Sequence, residues 1–417
     1  MKHKVIVIGA GFAGIHFVRN LNEDLFDILL IDKLNHHQFQ PLFYQVATSQ
    51  IEPSSISFPI RHIFKSKKNV QIRLTEVLQI DSTNNKIQTT IGEFDYDYLI
   101  IATGCKTNFF GNDEIKEHAF PLKSTYDAIT IRNHIIQTFE NIISAKDDEK
   151  EALCNLIIVG AGPTGVELAG AFAEIKKYIL PKDYPKIDFS KFNINLIEGS
   201  KNTLNNMSDR SKIASRKYLT DLGVNIFTQT TVKAYNGDTV MLSNGNSIKS
   251  KTVIWAAGVT GNIIDGINKD YITPTNRIIV DKHNKVICYD NIYAVGDISC
   301  IISEQFPKGH PQVANVAINQ AKNLAKNLEN RIIDKTITEF EYKDLGTMAT
   351  IGRNKAVVDF RFIYFTGYFA WMIWMFLHLM LILSVRNKLI IFINWAWAYI
   401  SKDSSLRLIL TIDKNKK

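Results

Sequence analysis

Cysteine is scarce in this chain, and the little there is does not cluster. The four residues, Cys105, Cys154, Cys288 and Cys300, form neither CxxC nor CxxxxC. No local redox dithiol is expected, and no Cys/His grouping has metal-ligand spacing, so no metal site is expected either. An EF-hand loop and low-complexity tracts are absent. A cleavable leader is also missing: Met1-Lys2-His3-Lys4 runs straight into an apolar stretch, which leads us to expect a body facing the cytoplasm. Acidic residues are rare at the far end. From Arg361 onward there are eight Lys/Arg against two Asp/Glu, so +6 of the net +8 lies in the last 57 residues. Aromatic and aliphatic runs accompany these charges, which fits a membrane surface and argues against nucleic acid as a partner.

What is present is two glycine-rich turns, 151 residues apart: GAGFAG with Gly9, Gly11 and Gly14, and GAGPTG with Gly160, Gly162 and Gly165. Each follows an apolar run and opens a helix-like stretch. The first glycine permits the tight strand-to-helix turn, the second lets backbone approach a pyrophosphate, and the third lets helix and strand pack closely. The helix N-terminus then faces the phosphate charge. Each turn is followed, one helix and one apolar strand later, by a carboxylate: Asp32 after Ile28–Ile31, and Glu198 after Ile194–Ile197. A carboxylate there accepts from ribose hydroxyls and repels a 2′-phosphate. Glu198 is followed by Gly199-Ser200-Lys201 with no arginine cluster, which favours NADH over NADPH. Two such cradles suit two dinucleotides held at once, one a tightly bound flavin and the other a nicotinamide that comes and goes.

The repeat goes further. Tyr98–Ile101 runs into Ala102-Thr103-Gly104, and Val253–Trp255 into Ala256-Ala257-Gly258. Small residues at a strand end let the chain pass close to a cofactor. Ala102, Thr103 and Gly104 are thus assigned to the flavin, and Ala257 and Gly258 to NADH. A later strand, Asn291–Val295, ends in Gly296-Asp297, where the carboxylate suits a flavin's ribityl chain. The helix-like Gln312–Leu328 follows, placed to favour negative charge on a reduced ring. The loop His36–Ser49 carries aromatic and amide residues, among them Gln45, that suit a flat polar ring. Ala128–Ile143 reads as a helix, Lys146–Glu151 as a charged linker, Pro181–Phe192 as an insertion loop and Val232–Ser250 as a β meander.

The resulting expectation is an α/β chain of two Rossmann-like dinucleotide-binding domains, the second inserted in the first, with C-terminal amphipathic membrane-anchoring helices. Residues 1–150 and 263–345 form the FAD domain, 151–262 the NADH domain, and 346–417 the membrane-anchor and quinone-access region. Between Arg361 and Arg386 lie 24 residues without Asp, Glu, Lys or Arg, and a second apolar run, Leu389–Ile400, follows Arg386-Asn387-Lys388. Four of the five tryptophans fall here, and tryptophan favours the headgroup level. The first run is long enough to span, the second too short to return, so a spanning helix, two helices lying in one leaflet and a buried core helix remain open readings.

These motifs resemble the bacterial type II NADH:quinone oxidoreductases, the non-pumping single-chain NADH dehydrogenases. The resemblance covers nearly the whole chain and rests on GAGFAG with HHQFQPLFYQVAT, on GAGPTGVELAGAFAE, on NIYAVGD, on DLGTMATIGRNKAVVDF and on FAWMIWMFLHL…RNK…WAWAY. It implies non-covalent FAD, NADH as substrate, and a monotopic anchor on the cytoplasmic face of the inner membrane. It also implies a membrane quinone, ubiquinone or menaquinone, as acceptor. Glu167 matches the position near the nicotinamide. A quinone motif close to Ala-Gln-x-Ala-x-Gln-Gln falls on Ala314–Gln320, where Asn315 and Asn319 replace two glutamines and Gln320 keeps its place. The tail's extensive apolar faces also suit a homodimer. A sulfide:quinone oxidoreductase, which needs paired cysteines near the flavin, and a membrane-bound NADH-sensing flavoprotein are the rival readings.

Overall fold

The structure, a computed structural model, describes residues 2–403 and 406–409. The basic residues Lys414, Lys416 and Lys417, and the end of the expected anchor region, lie outside the described residues. The chain forms two compact units. One comprises the segments up to Gln38, Phe58–Lys106 and Val259–Asp344; the other comprises Phe39–Ser57, Thr107–Gly258 and the segment from Leu345.

The first unit is built on a five-stranded parallel sheet in the order Ile292–Ala294, Tyr98–Ile101, His3–Ile8, Phe26–Asp32, Val70–Leu74. Most of its strands are near-continuous apolar runs because both faces are covered, whereas the edge strand Val70–Leu74 exposes Gln71 and Arg73. On one face the helices Phe12–Asn20 and Ala314–Ile332 pack together over Phe17, Phe26, Leu30 and Leu324. On the other, Ile6, Leu99 and Ile101 join Ile80 and Ile87 of a three-stranded antiparallel sheet.

The second unit repeats the plan: Phe120–Pro121, Thr252–Trp255, Asn155–Val159, Asn193–Ile197, Val224–Phe227, all parallel. In both sheets the strand entering a cradle is central. The strand ending in small residues lies on one side of it and the carboxylate strand on the other, which is the switch-point geometry that opens a crevice at the strand ends. The expected meander is an antiparallel sheet of Val232–Tyr235, Thr239–Leu242 and Ser247–Lys249.

The same unit contains a C-terminal antiparallel sheet of Thr347–Thr350, Ala356–Asp359 and Tyr364–Thr366. The helix Pro163–Glu174 packs on it closely. A Cβ on Gly170 would lie 2.9 Å from Gly352 N, so only glycine allows this approach. A π-helical turn, Ile175–Ile179, continues that helix. The helices Tyr368–Leu381 and Val385–Ser401 complete the unit.

Several local expectations change. The charged stretch read as a linker is a helix, Asp147–Leu153, whose first turn holds Asp147, Asp148 and Glu149 against the positive end of the helix dipole. The helix expected from Ala128 begins at Thr125, because Ser124 caps it by accepting from Asp127 N. Pro181–Phe192, read as a loop, contains two short helical turns. The apolar run 362–385 is broken by Gly367, whose φ of 76° ends the strand Tyr364–Thr366 and leaves a helix of 14 residues. Such a helix is about 21 Å long, short of the ~30 Å hydrocarbon core. Among the described residues no helix is long and apolar enough to cross a membrane. The unit limits also differ from the expected domain limits. Residues 39–57 and 107–150 group with the second cradle, since the helix Thr125–Ser144 packs on Phe43–Ala47 and Phe120–Pro121 joins the second sheet.

Candidate functional site

The two cradles have the same construction. In the first, Gly9 has φ 106° and Ala10 N donates to Asp32 Oδ2 at 2.6 Å, while Leu34 N donates to Asp32 Oδ1 at 2.8 Å. In the second, Gly160 has φ 100° and Ala161 N donates to Glu198 Oε2 at 2.6 Å; Ser200 donates to Glu198 Oε1 through both its N–H, at 2.7 Å, and its hydroxyl. The carboxylate thus braces the turn from the neighbouring strand. A Cβ on Gly14 would collide with Gly9 O, and one on Gly165 with Gly160 O. The N-caps of the two helices, Gly11 and Gly162, provide no side-chain cap, which leaves the N-terminal amides to a phosphate. Burial raises the Asp32 pKa, opposed by backbone donors from Leu34 and Ala10. Burial also lowers His37 to about 4, so its neutral ring donates Nδ1–H to Ala10 O at 2.9 Å.

Ala102 is buried, with its N–H on Ile8 O, and Thr103 Oγ1 is buried without a hydrogen-bond partner among the described residues. That orphaned hydroxyl fits a polar cofactor against it. Asp297 Oδ2 accepts from Cys105 Sγ at 2.8 Å, just beyond Gly104. Gln320 is buried, and its Oε1 accepts from Gly296 N at 2.7 Å and Ser299 Oγ at 3.0 Å, so it holds the Gly-Asp turn. Asn319 Nδ2 donates to Asn315 Oδ1 at 2.6 Å, and Asn315 Nδ2 to Lys343 O at 3.1 Å. In the second unit Gly258 O accepts from Asn108 N at 3.0 Å, and Ala257 joins the core beside Trp255.

A third feature, hardly visible in the sequence, is a chamber in the second unit of about 800 Å³, counting its open mouth. The face Glu167, Ala171, Glu174 and Tyr178 of the helix from Pro163 and its extension forms one side; Tyr44, Gln45, Trp371, Trp374, Trp395 and Arg353 form others. Glu167 is buried, and Thr350 N donates to it at 3.4 Å. Burial raises its pKa to about 8, against the downward pull of Thr350 N–H and the Trp374 indole. Trp374 Nε1 itself completes no hydrogen bond among the described residues. Glu174, two turns on, accepts from Arg353 N at 2.6 Å, and burial raises its pKa too. Gln45, expected beside the flavin, is a wall of this chamber: its Oε1 accepts from Trp395 Nε1 at 2.8 Å and its Nε2 donates to Tyr44 Oη at 2.9 Å. Trp374 stacks on His378 at 4.1 Å between centroids, and burial lowers His378 to about 4. The seven-residue spacing of Glu167 and Glu174 was the one available signal that both acids share a helix face.

The pyridine nucleotide-disulphide oxidoreductase family profile matches residues 3–321, and that of the NDH2 C-terminal domain matches 345–404. The chain is 33% identical to the type II NADH:quinone oxidoreductase Ndh of Mycobacterium tuberculosis, over 96% of this chain and 89% of that protein. It is 28% identical to a type II NADH:quinone oxidoreductase of Staphylococcus haemolyticus, over 85% of this chain and 89% of that one. Its fold is like that of NDH2 from Plasmodium falciparum solved with NADH, with a TM-score of 0.88, 22% identity and coverage of 99% and 100% of the two chains. The sulfide:quinone oxidoreductase of Aquifex aeolicus shares the fold more distantly, at a TM-score of 0.73 and 22% identity over 96% of each chain. Among the described residues the four cysteines form no disulfide; Cys288 donates to Tyr271 Oη and Cys300 to Lys308 O. With family profiles covering both parts of the chain and a full-length relative at one-third identity, the chain belongs to the type II NADH:quinone oxidoreductases, FAD-dependent enzymes that oxidise NADH.

Proposed function

We propose that the first cradle holds FAD, the second takes NADH, and the chamber over Glu167 receives the head of a quinone drawn from the bilayer. The observation that carries this reading is the pair of matching cradles, each braced by its own strand-end carboxylate. FAD, when bound there, would supply the two-electron redox chemistry that links NADH to quinone. The chain's own residues supply the rest. Gly9, Gly11 and Gly14 admit the FAD pyrophosphate, Asp32 takes the ribose, and Ala102, Thr103, Gly104, Gly296 and Asp297 line its path. Gly160, Gly162, Gly165, Glu198, Ala257 and Gly258 do the same for NADH. Gln320 acts by fixing the Gly296 turn, while Asn315 and Asn319, bonded to each other, lie on a different and more exposed face of the same helix. Glu167, protonated up to about pH 8 by its burial, carries the proton that a reduced quinone oxygen requires.

The helices Tyr368–Leu381 and Val385–Ser401 expose Phe369, Met372, Phe376 and Met380, and Leu389, Phe392, Ile393, Trp397 and Ile400. Spacings of three and four put each set on one helix face, which suits burial in a single leaflet with Arg361, Arg386 and Lys388 on anionic headgroups. This reading includes the cytoplasmic face of the inner membrane as the location and a second copy of the chain as a partner. Phe376→Glu with Phe392→Glu is expected to reduce flotation with anionic vesicles at least about tenfold and to leave turnover with a short-chain quinone within about twofold, since each buried Phe contributes ~1.5–3 kcal/mol. Undiminished flotation would overturn the in-plane anchor.

The function itself is tested by steady-state kinetics on the purified protein. It should be yellow, oxidise NADH with short-chain ubiquinone or menaquinone analogues, and leave sulfide untouched. Colourless protein, or a large preference for NADPH, contradicts the reading.

A further inference from the structure

The segment 199–208 joins the ribose carboxylate to the helix Asp209–Asp221 and crosses the second cradle. At its start Glu198 Oε1 accepts from Ser200, and Gln229 N donates to Ser200 O at 2.9 Å. At its middle Leu204 N donates to Ala161 O of the cradle at 2.8 Å. Leu204 has φ 49°, a left-handed conformation that leucine rarely adopts and that surrounding structure must hold. At its far end one side chain does the holding. Asp359 accepts from Ser208 N at 2.7 Å, from Ser208 Oγ at 2.9 Å and from Ser211 Oγ at 2.7 Å.

Asp359 therefore does more than cap. Ser208 is the N-cap of the helix Asp209–Asp221, accepting from Ser211 N at 3.3 Å, and its hydroxyl is aimed by the proton it gives to Asp359. The carboxylate also stands at the positive end of that helix, and charge-assisted bonds of this kind are about twice as strong as neutral ones. Asp359 itself is fixed by the C-terminal sheet, where it lies opposite Thr347 and Tyr364, and the Arg210 guanidinium sits over the Tyr364 ring at 4.1 Å.

We propose that Asp359 is a positioning residue for NADH: it pins segment 199–208 over the second cradle and so sets affinity for the adenosine diphosphate half, without touching the dinucleotide. This rests on the reading that the second cradle binds NADH. The grip comes from the C-terminal sheet, outside the dinucleotide-binding motif itself.

The test uses full-length, flavin-loaded protein and ADP-ribose, which carries the adenosine diphosphate but no nicotinamide. In Asp359→Asn the Kd for ADP-ribose and the KM for NADH should rise together by about tenfold, the effect of losing one charge-assisted anchor. The kcat at saturating NADH should stay within about twofold, and the KM for a short-chain quinone should not move. Ser211→Ala removes one of the three donors and should give a smaller rise, about threefold. Unchanged Kd and KM in folded Asp359→Asn, or a fall in kcat alone, overturns the proposal. If Asp359→Asn does not fold, Ser211→Ala decides: an unchanged Kd there overturns it. Wild-type protein that does not bind ADP-ribose removes the underlying reading of the cradle, a result separate from either variant's.

Discussion

Gly165→Ala is expected to lower NADH kcat/KM by more than ~100-fold while the purified protein stays yellow. The added Cβ would fall inside contact with Gly160 O, a backbone atom that no rotamer change can clear. Gly160 has no room to retreat: its own Cβ position lies 2.6 Å from both Ala256 O and Ala257 Cα, and its φ of 100° excludes most other residues. The turn must open, and the helix N-terminus proposed to face the pyrophosphate moves off its line. Gly14→Ala repeats the collision with Gly9 O in the first cradle and should give protein without flavin. The two variants thus separate the two dinucleotides by colour and by kinetics. Retention of kcat/KM within threefold in Gly165→Ala would show that the second cradle does not bind NADH.

Glu167→Gln is the second large effect. Turnover with a short-chain quinone should fall by about 10²-fold at neutral pH, the usual scale for removing a positioned proton donor. The wild-type kcat should also decline as pH rises through about 8, where Glu167 loses its proton, and the variant should lack that limb. Stability gives an independent reading. The folded pKa of about 8 lies above the ordinary 4.5, so the native state binds the extra proton between those values. The stabilisation is full below about pH 4.5 and is lost as pH rises through 8. Melting temperatures at pH 5 and pH 9 should therefore diverge, with the glutamine variant gaining on wild type at the alkaline end. Parallel melting curves across that range would remove Glu167 as a buried proton carrier.

The cradles, their carboxylates and the small-residue strand ends were legible because they are local: each is a strand, a turn and a helix read within a few dozen residues. Val232–Ser250 was legible for the same reason. The chamber was not. Gln45 reads as a polar residue of an aromatic loop, and nothing near it in sequence announces Trp395 as its partner. Asp359 looks like a strand-end acid; that it receives three hydrogen bonds from Ser208 and Ser211 depends on pairing across some 150 positions. The apolar run after Arg361 misled by its length, since hydropathy alone does not register that Gly367 reverses the backbone and divides it into strand and helix. Lys146–Glu151 misled by charge, because its acids serve a helix N-terminus.

The bond from Trp395 to Gln45 closes a gap of 350 residues, and Asn387 reaches back to the carbonyls of Ser54 and Ser55 across 333 and 332. During synthesis, residues 39–57 leave the ribosome long before these partners exist. At ~5–20 residues per second the interval is about twenty to seventy seconds. For that time an aromatic, amide-rich segment must be shielded without its native cover. The helix Val385–Ser401 covers this early segment and is also the element proposed to meet lipid, so burial of residues 39–57 and the proposed membrane contact depend on one late-made element.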